Sequence, residues 1–354
     1  MQQATYLLGA GASHKAIPTL SSFNSSITNF LLRLKNDIKD ENTLSILTNN
    51  WIPLIQLASQ HASIDTFAKK LYLTNDVSSL WKLKIILSAY FIHEQSVEHE
   101  SEQTAGLKSY PRYSNQPVDP RYDFFMAALL RHSNDRPTLP ENLKIITWNY
   151  DSQIEMAYHP YGKIGHNDDD LLRRTLNIFP CPGKEYTKGG LSAEPSNIIK
   201  LNGTAAILYS ETASSMEFKS YRKLFYKEAI EQILMLIRYS GEQINNPNFI
   251  SHGSSVNFAW ELEENWISKN AVTRAKDIIT ESDILVVIGY SFPVFNRDID
   301  RTIFGDNSLS KVYIQDTEKN ILGVQSRAKM IMNLRDTEFE LDTNLDQFLI
   351  PFEL

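Results

Sequence analysis

The sequence has only one cysteine, no long apolar run and no excess of positive charge, and each of these deficits excludes a class of protein. The 354 residues contain one cysteine, Cys181, so an internal disulfide and a zinc site built from several thiolates are excluded. No apolar stretch approaches the roughly 20 residues that a membrane-spanning helix needs. The formal net charge of -7 argues against a surface that binds nucleic acid as a whole. We therefore expect no metal, no membrane and no nucleic-acid partner.

The sequence also lacks internal repeats, low-complexity tracts and a clean linker between domains. It does not begin with the basic segment and cleavage site of a secretory signal, so we expect a cytoplasmic protein. Its 42% hydrophobic and 22% charged residues are typical of a globular protein. The length suits one large α/β domain with insertions or two modest domains.

Short apolar segments alternate with segments of helical periodicity. Predicted strands lie at residues 6–8, 144–147, 198–201, 284–288 and 312–315, and predicted helices at 27–34, 64–71, 80–92, 122–130, 153–158, 217–239, 270–280 and 321–331. This alternation predicts an α/β fold, a Rossmann-like doubly wound parallel sheet. We expect a helical insertion over residues 21–130, with a polar loop at 95–120. Residues 1–20 and 131–354 then form the sheet domain, which includes a helical segment at about 215–280.

Three fragments directly follow predicted strands, at residues 9–13, 147–151 and 289–291. In doubly wound α/β folds the carboxyl ends of the strands meet at a switch point, where loops far apart in sequence close on one ligand. Together the fragments predict a dinucleotide site.

The first fragment is Gly9, Ala10, Gly11, Ala12 and Ser13. Its glycines permit a tight turn and close approach of the backbone to a phosphate, and a helix opening near Ser13 would direct backbone N–H groups at a pyrophosphate. The fragment lacks the third glycine of the dinucleotide fingerprint and the lysine of a phosphate loop. A tight turn without a ligand is therefore an alternative.

The second fragment places Thr147, Asn149 and Asp151 at the end of a strand. The Asn149 amide suits a ribose hydroxyl or a water, and the Asp151 carboxylate suits stabilisation of positive charge or orientation of Asn149. The alternative is that Asp151 only caps the following helix.

The third fragment contributes Gly289 and Ser291, and Asp316 follows the next predicted strand. The Ser291 hydroxyl suits a phosphate or ribose, and an acidic side chain at the position of Asp316 suits a ribose diol. The alternatives are a tight turn at Gly289 and a solvated turn at Asp316.

With these fragments the chain resembles the sirtuin-like family, specifically its bacterial branch of NAD-hydrolysing proteins of antiphage defence. The matching elements lie in the family order and span nearly the whole chain: residues 9–13, Thr147-Trp148-Asn149-Tyr150-Asp151, Lys200-Leu201-Asn202-Gly203-Thr204 and Ile288-Gly289-Tyr290-Ser291-Phe292-Pro293. The resemblance implies a Rossmann-like NAD domain with a helical insertion and places Asn149 near the nicotinamide ribose. It does not imply deacetylation, because the four cysteines of the deacetylases' zinc module are missing.

One departure from the family concerns the catalytic histidine, whose position is occupied by Asn202. An asparagine amide hydrogen-bonds a ribose hydroxyl but is no general base, so assistance typically worth about a hundredfold is lost. The resemblance therefore leaves two functions open. One is hydrolysis of NAD to nicotinamide and ADP-ribose in antiphage defence, with Asn149, Asp151 and Asn202 as the catalytic residues. The other is a degenerate subunit that binds NAD or ADP-ribose and assembles with a HerA-like ATPase or a nuclease. A homo-oligomer is expected in either case.

Overall fold

The computed structural model describes residues 2–96, 114, 116–131, 136–162, 169–180, 196–210, 215–217, 226–245, 252–258, 260–261, 265–332, 334 and 337–354. Cys181 and most of the loop expected at 95–120 lie outside these residues.

The described residues form strands and helices that alternate through much of the chain. The strands are β1 (Ala4–Leu8), β2 (Leu143–Thr147), β3 (Ile178–Phe179), β4 (Ile198–Lys200), β5 (Gly203–Ser210), β6 (Ser215–Glu217), β7 (His252–Val256), β8 (Ile284–Ile288), β9 (Lys311–Gln315) and β10 (Glu338–Asp342). The helices are α1 (Leu20–Asp37), α2 (Glu41–Ile46), α3 (Ile52–Ala58), α4 (Ile64–Leu73), α5 (Val77–Glu94), α6 (Pro120–Leu129), α7 (Gln153–Tyr158), α8 (Asp169–Leu176), α9 (Tyr226–Asn245), α10 (Trp266–Thr280), α11 (Arg297–Phe304) and α12 (Ile321–Ile331).

The chain divides into two compact units, of which the first carries the large sheet. This sheet unit comprises residues 1–14, 119–203 and 257–354. Its seven strands are all parallel and run in the order β10-β9-β8-β1-β2-β4-β3. The predicted Rossmann-like parallel sheet is thereby confirmed. Because the chain proceeds from β1 to one side and returns at β8 on the other, the switch point lies between β1 and β8.

The central strands form because their side chains are apolar on both faces. Every residue of β1 and β8 is buried, as expected for parallel strands covered by helices on both sides. On one face, side chains of α10, α11 and α12 pack on β1, β8 and β9 in a continuous apolar core. On the other face Tyr6 packs edge-on against Phe125 of α6, with ring centroids 4.9 Å apart. The apolar runs thus fix the strand ends from which the polar fragments emerge.

The second unit comprises residues 15–118 and 204–256. It contains α1 to α5 and α9, in which Trp51 donates a hydrogen bond to Ser240 over 2.9 Å, and a small sheet in the order β6-β5-β7. The sequence predicts residues 204–256 in the sheet domain and residues 119–130 in the helical insertion, whereas the former belong to the second unit and the latter to the sheet unit. The sequence also predicts a helix that begins at residue 217. The structure places residue 217 in β6, and α9 begins at Tyr226.

The prediction that a helix opens near Ser13 was wrong. Residues Ala10–Ser13 form a single 3-10 turn, and the next helix is α1 at Leu20. Among the described helices, none is long and apolar enough to cross a membrane.

Candidate functional site

The loops that follow β1 and β8, called corners below, pack against each other through their backbones. A Cβ atom on Gly9 would lie 2.6 Å from the carbonyl oxygen of Gly289, and one on Gly11 would lie 2.7 Å from the Cα of Gly289. A Cβ on Gly289, whose φ is +60°, would lie 2.4 Å from the Ala12 nitrogen. These contacts leave no room for side chains. The two glycine-containing fragments therefore meet at the switch point.

Four of the backbone N–H groups that these two fragments could offer to a pyrophosphate are hydrogen-bonded within the fold. The amide of Gly9 donates to Ile288, that of Gly11 to Gly289, that of Ala12 to Gly9 and that of Gly289 to Gln315, over 2.8–3.2 Å. Ala10 is exposed, whereas Ala12 is buried. The glycines thus provide close approach of the backbone rather than an array of free N–H groups.

Ser13, Asn149 and Asp151 form one hydrogen-bonded cluster between the corners of β1 and β2. The Ser13 hydroxyl donates to the Asp151 carboxylate over 2.8 Å. The Asn149 side-chain amide donates to the Gly9 carbonyl over 3.0 Å and to the Ser13 hydroxyl oxygen over 3.2 Å. All three side chains are buried. The structure thus brings together residues of the first and second fragments.

The side-chain oxygen of Asn149 is the part of this cluster that stays available. Both amide hydrogens of Asn149 are used within the cluster, and none of the described residues donates to its Oδ1. Thr147 fixes the turn, since its hydroxyl accepts the Asn149 backbone N–H over 3.1 Å. Asn149 can therefore accept a hydrogen bond from a water or a ribose hydroxyl.

Asp151 belongs to this cluster and also hydrogen-bonds the first residue of α7. One carboxylate oxygen accepts the Gln153 backbone N–H over 3.2 Å at the start of α7, and the other accepts from Ser13. Burial raises the pKa of Asp151, and the charge of Lys200 and these hydrogen bonds oppose that rise. The capping alternative and the functional role are thus compatible.

Asn202 follows β4 and has one saturated and one open side-chain group. Its Nδ2 donates to the Trp148 carbonyl over 3.0 Å, while its buried Oδ1 has no hydrogen-bond partner among the described residues. A buried acceptor without a partner costs about 1–3 kcal/mol in a folded protein. This oxygen is therefore a candidate contact for a ligand hydroxyl.

Aromatic stacking links the corners of β2 and β8. The rings of Trp148 and Tyr290 are stacked at an interplanar angle of 9°, with centroids 5.7 Å apart. The Tyr290 hydroxyl donates to the buried Asp300 carboxylate over 2.8 Å, and Asn296 donates to the Tyr290 hydroxyl. Burial raises the pKa of Asp300 well above its usual range. The stack holds the segment that contains Gly289 against the segment that contains Asn149.

Ser291 and Asp316 are not drawn into the cluster. Ser291 is exposed, and its carbonyl accepts from Arg327 over 2.6 Å. The Asp316 carboxylate accepts from the backbone and hydroxyl of Thr317, as in a local turn. Both residues follow strands of the sheet, but the Ser291 carbonyl contacts α12 and the Asp316 carboxylate hydrogen-bonds the next residue.

Three buried residues near the first fragment were not predicted from the sequence. Arg121 donates to the carbonyls of Gly11 and Ala12 over 3.0 and 2.9 Å, and Asp119 holds its guanidinium over 2.6 Å. The Tyr122 hydroxyl lies 3.3 Å from the Ser13 hydroxyl. The pair Asp119-Pro120 could have predicted the start of α6, because an aspartate followed by a proline is typical of the first residues of a helix. Asp119 is the N-cap of α6, and its carboxylate accepts the Arg121 backbone N–H.

A separate cavity lies at the opposite end of the sheet. Its volume is about 680 Å³, and its lining includes Gln3, Lys144, Ser196 and Arg274, which lie near the amino ends of β1, β2 and β4 or on α10. It does not include any residue of the Ser13, Asn149 and Asp151 cluster.

The described residues contain no group of three histidine, cysteine or acidic side chains arranged to hold a metal.

In comparisons with known proteins, no protein-family model and no curated protein matches the chain.

Proposed function

We propose that the protein binds NAD at the carboxyl ends of β1, β2 and β8 and hydrolyses it to nicotinamide and ADP-ribose, as an effector of antiphage defence. The observation that carries this proposal is the buried cluster of Ser13, Asn149 and Asp151 beside the switch point. Dinucleotides bind at such a point in doubly wound sheets. The sequence resemblance described above supplies the identity of the dinucleotide.

The reaction adds one water to NAD and yields nicotinamide, ADP-ribose and a proton. The bond between the ribose C1′ and the nicotinamide nitrogen breaks, its electron pair neutralises the pyridinium, and the water oxygen bonds to C1′. Positive charge develops on the ribose meanwhile. The Asp151 carboxylate stabilises that charge across a buried, low-dielectric site, although its oxygens are already hydrogen-bonded.

The open acceptor atoms suit the remaining tasks. Asn149 Oδ1 accepts a hydrogen bond from the water, and Asn202 Oδ1 accepts one from a ribose hydroxyl. No residue of the cluster is a strong base, which makes the reaction slow. The leaving group is already positively charged, so less base assistance is needed than in ester hydrolysis.

Purified protein incubated with NAD tests the proposal directly. The protein is incubated by itself and together with the products of neighbouring genes. We expect nicotinamide and ADP-ribose to appear in equal amounts over hours, as measured by chromatography. NADH is the matched control: its reduced ring carries no positive charge, so it should remain intact. Equal consumption of NAD and NADH would contradict the mechanism, and binding of NAD without turnover in every assembly would contradict hydrolysis.

A second candidate function is binding of NAD or ADP-ribose without turnover, in a subunit that assembles with itself, a HerA-like ATPase or a nuclease. Two observations favour it. Asn202 stands where the resembled family has a histidine, and the backbone amides of Gly9, Gly11 and Ala12 are occupied within the fold. Under this candidate the same residues hold the ligand, and its arrival alters assembly.

Replacement of Asn202 by histidine separates the two candidates. In an enzyme, the imidazole adds a general base beside the ribose, and we expect NAD turnover to rise about tenfold to a hundredfold. Asn142→His, at the exposed start of β2, is the control and should leave turnover unchanged. A folded Asn202→His variant that binds NAD and shows no gain would favour the binding subunit.

A further inference from the structure

We propose that Lys200 is a positioning residue that pins Asp151 in place and supplies its counter-charge from behind the site. The proposal deepens the proposed function, on which its relevance to turnover rests. Lys200 is the last residue of β4 and is 2% exposed. A lysine so deeply buried is rare unless it is paired.

Lys200 connects the main chain at Asp151 to a carboxylate on α7. Its Nζ donates to the Asp151 backbone carbonyl over 2.5 Å and to Glu155 Oε1 over 2.9 Å. Since Asp151 lies in the turn before α7 and Glu155 lies within α7, one ammonium group fixes the turn to the helix. Without the Lys200 ammonium group, the Asp151 backbone carbonyl loses this hydrogen bond, and the turn that orients the Asp151 side chain is held less firmly.

A second cation completes the cluster behind the site. Arg173 of α8 is fully buried, lies 3.4 Å from Glu155 Oε1 and also donates to the Pro180 carbonyl. Glu155 Oε2 has no hydrogen-bond partner among the described residues. With Asp151 ionised, the four buried groups carry two positive and two negative charges. With Asp151 protonated, an uncompensated positive charge would remain in the interior, which is costly.

The charges act on Asp151 in opposite directions. Burial raises the pKa of Asp151, the charge of Lys200 lowers it, and the charge of Glu155 raises it. Burial also lowers the pKa of Lys200, and Arg173 lowers it further, while Glu155 and Asp151 raise it. On the α6 side, the neutral Tyr122 hydroxyl reaches Asp151 through Ser13, and the charge of Arg121 is taken up by Asp119. Lys200 is thus the cation that most directly favours the ionised form of Asp151 against the effect of burial.

Two substitutions of opposite sign test the proposal. Lys200→Met keeps an unbranched side chain and removes the charge, so the pKa of Asp151 should rise and the acidic limb of NAD turnover should move to higher pH by about one unit. Glu155→Gln removes the negative charge that opposes ionisation, so the pKa of Asp151 should fall. Lys144→Met, at the far end of β2, should change neither.

The titration of Asp151 is followed by ¹³C NMR of side-chain carboxyl groups in the free protein, with Asp151→Asn to identify the resonance. No NAD is present, so this arm does not depend on hydrolysis. Opposite shifts in the Lys200 and Glu155 variants support the proposal; if Lys200→Met fails to fold, Lys200→Gln, which also lacks the charge but keeps a donor for the Asp151 carbonyl, replaces it and should again raise the pKa of Asp151. Folded variants in which Asp151 titrates as in the wild type would overturn it. An unshifted pH profile of turnover, with the resonance shifted, would overturn the role of Lys200 in the reaction.

Discussion

Gly289→Ala is expected to destabilise the protein by about 2–5 kcal/mol. The φ of +60° at this position costs a residue with a Cβ about 1–2 kcal/mol. The added carbon would also lie 2.4 Å from atoms of Gly11 and Ala12 that belong to the main chain and cannot rotate away. Overpacking of this kind typically adds about 1–3 kcal/mol. Against a total stability of about 5–15 kcal/mol, such a loss is large.

Gly323→Ala in α12 is the matched control for this experiment. The added Cβ would meet only the end of the Arg327 side chain, at 3.3 Å, and alanine is the better helix former by about 1 kcal/mol. Urea unfolding should therefore show the two glycine-to-alanine changes moving the midpoint in opposite directions. A Gly289→Ala protein as stable as the wild type would mean that the corners after β1 and β8 do not pack as described.

Asn149→Ala is expected to reduce NAD hydrolysis by about a hundredfold to a thousandfold. The change removes the oxygen proposed to accept a hydrogen bond from the attacking water, and loss of one preorganised group at a reacting centre commonly has this effect. It also removes the hydrogen bonds to Gly9 and Ser13, so a stability loss of about 1–3 kcal/mol should accompany it. Binding of NAD should change much less than turnover.

The control for that variant is Asn142→Ala, which removes a side-chain hydrogen bond to Gln2 at the other end of β2. Initial rates of nicotinamide release, with calorimetric binding of NAD to each folded protein, separate turnover from affinity. If Asn149→Ala hydrolyses NAD as fast as the wild type, Asn149 is not at the reacting centre and the proposed mechanism is wrong.

The sheet could be predicted from the sequence because its central strands are short, continuous apolar runs. β1 and β8 carry no side chain that faces water, and such runs are typical of parallel strands. β10 was missed because the sequence Glu-Phe-Glu-Leu-Asp at residues 338–342 is charged and largely exposed, as edge strands commonly are. The membership of residues 204–256 in the second unit depends on packing between α5 and α9 and on antiparallel pairing of β5, neither of which leaves a local pattern.

The sequence indicated members of the hydrogen-bonded cluster only where polar residues follow a buried strand closely. Ser13, Asn149 and Asp151 satisfy that rule, and the structure brings them together. Lys200 and Arg121 do not reveal their roles in this way. A lysine ending a strand and an arginine in a helix look like solvated residues until their buried acidic partners are known.

The order of strands in the large sheet bears on how the chain folds during synthesis. Ala4 of β1 pairs with Leu143 on one side and with Ile284 on the other, so its neighbours emerge from the ribosome long after it does. Pairings this distant in sequence slow folding, because a long loop must close before any contact forms. Until then the largely hydrophobic Ala-Thr-Tyr-Leu-Leu segment lacks at least one strand partner, and an unpaired strand edge of this kind promotes aggregation. β1 thus precedes the other strands of the large sheet in sequence, and it gains its second neighbour only after β8 has been synthesised.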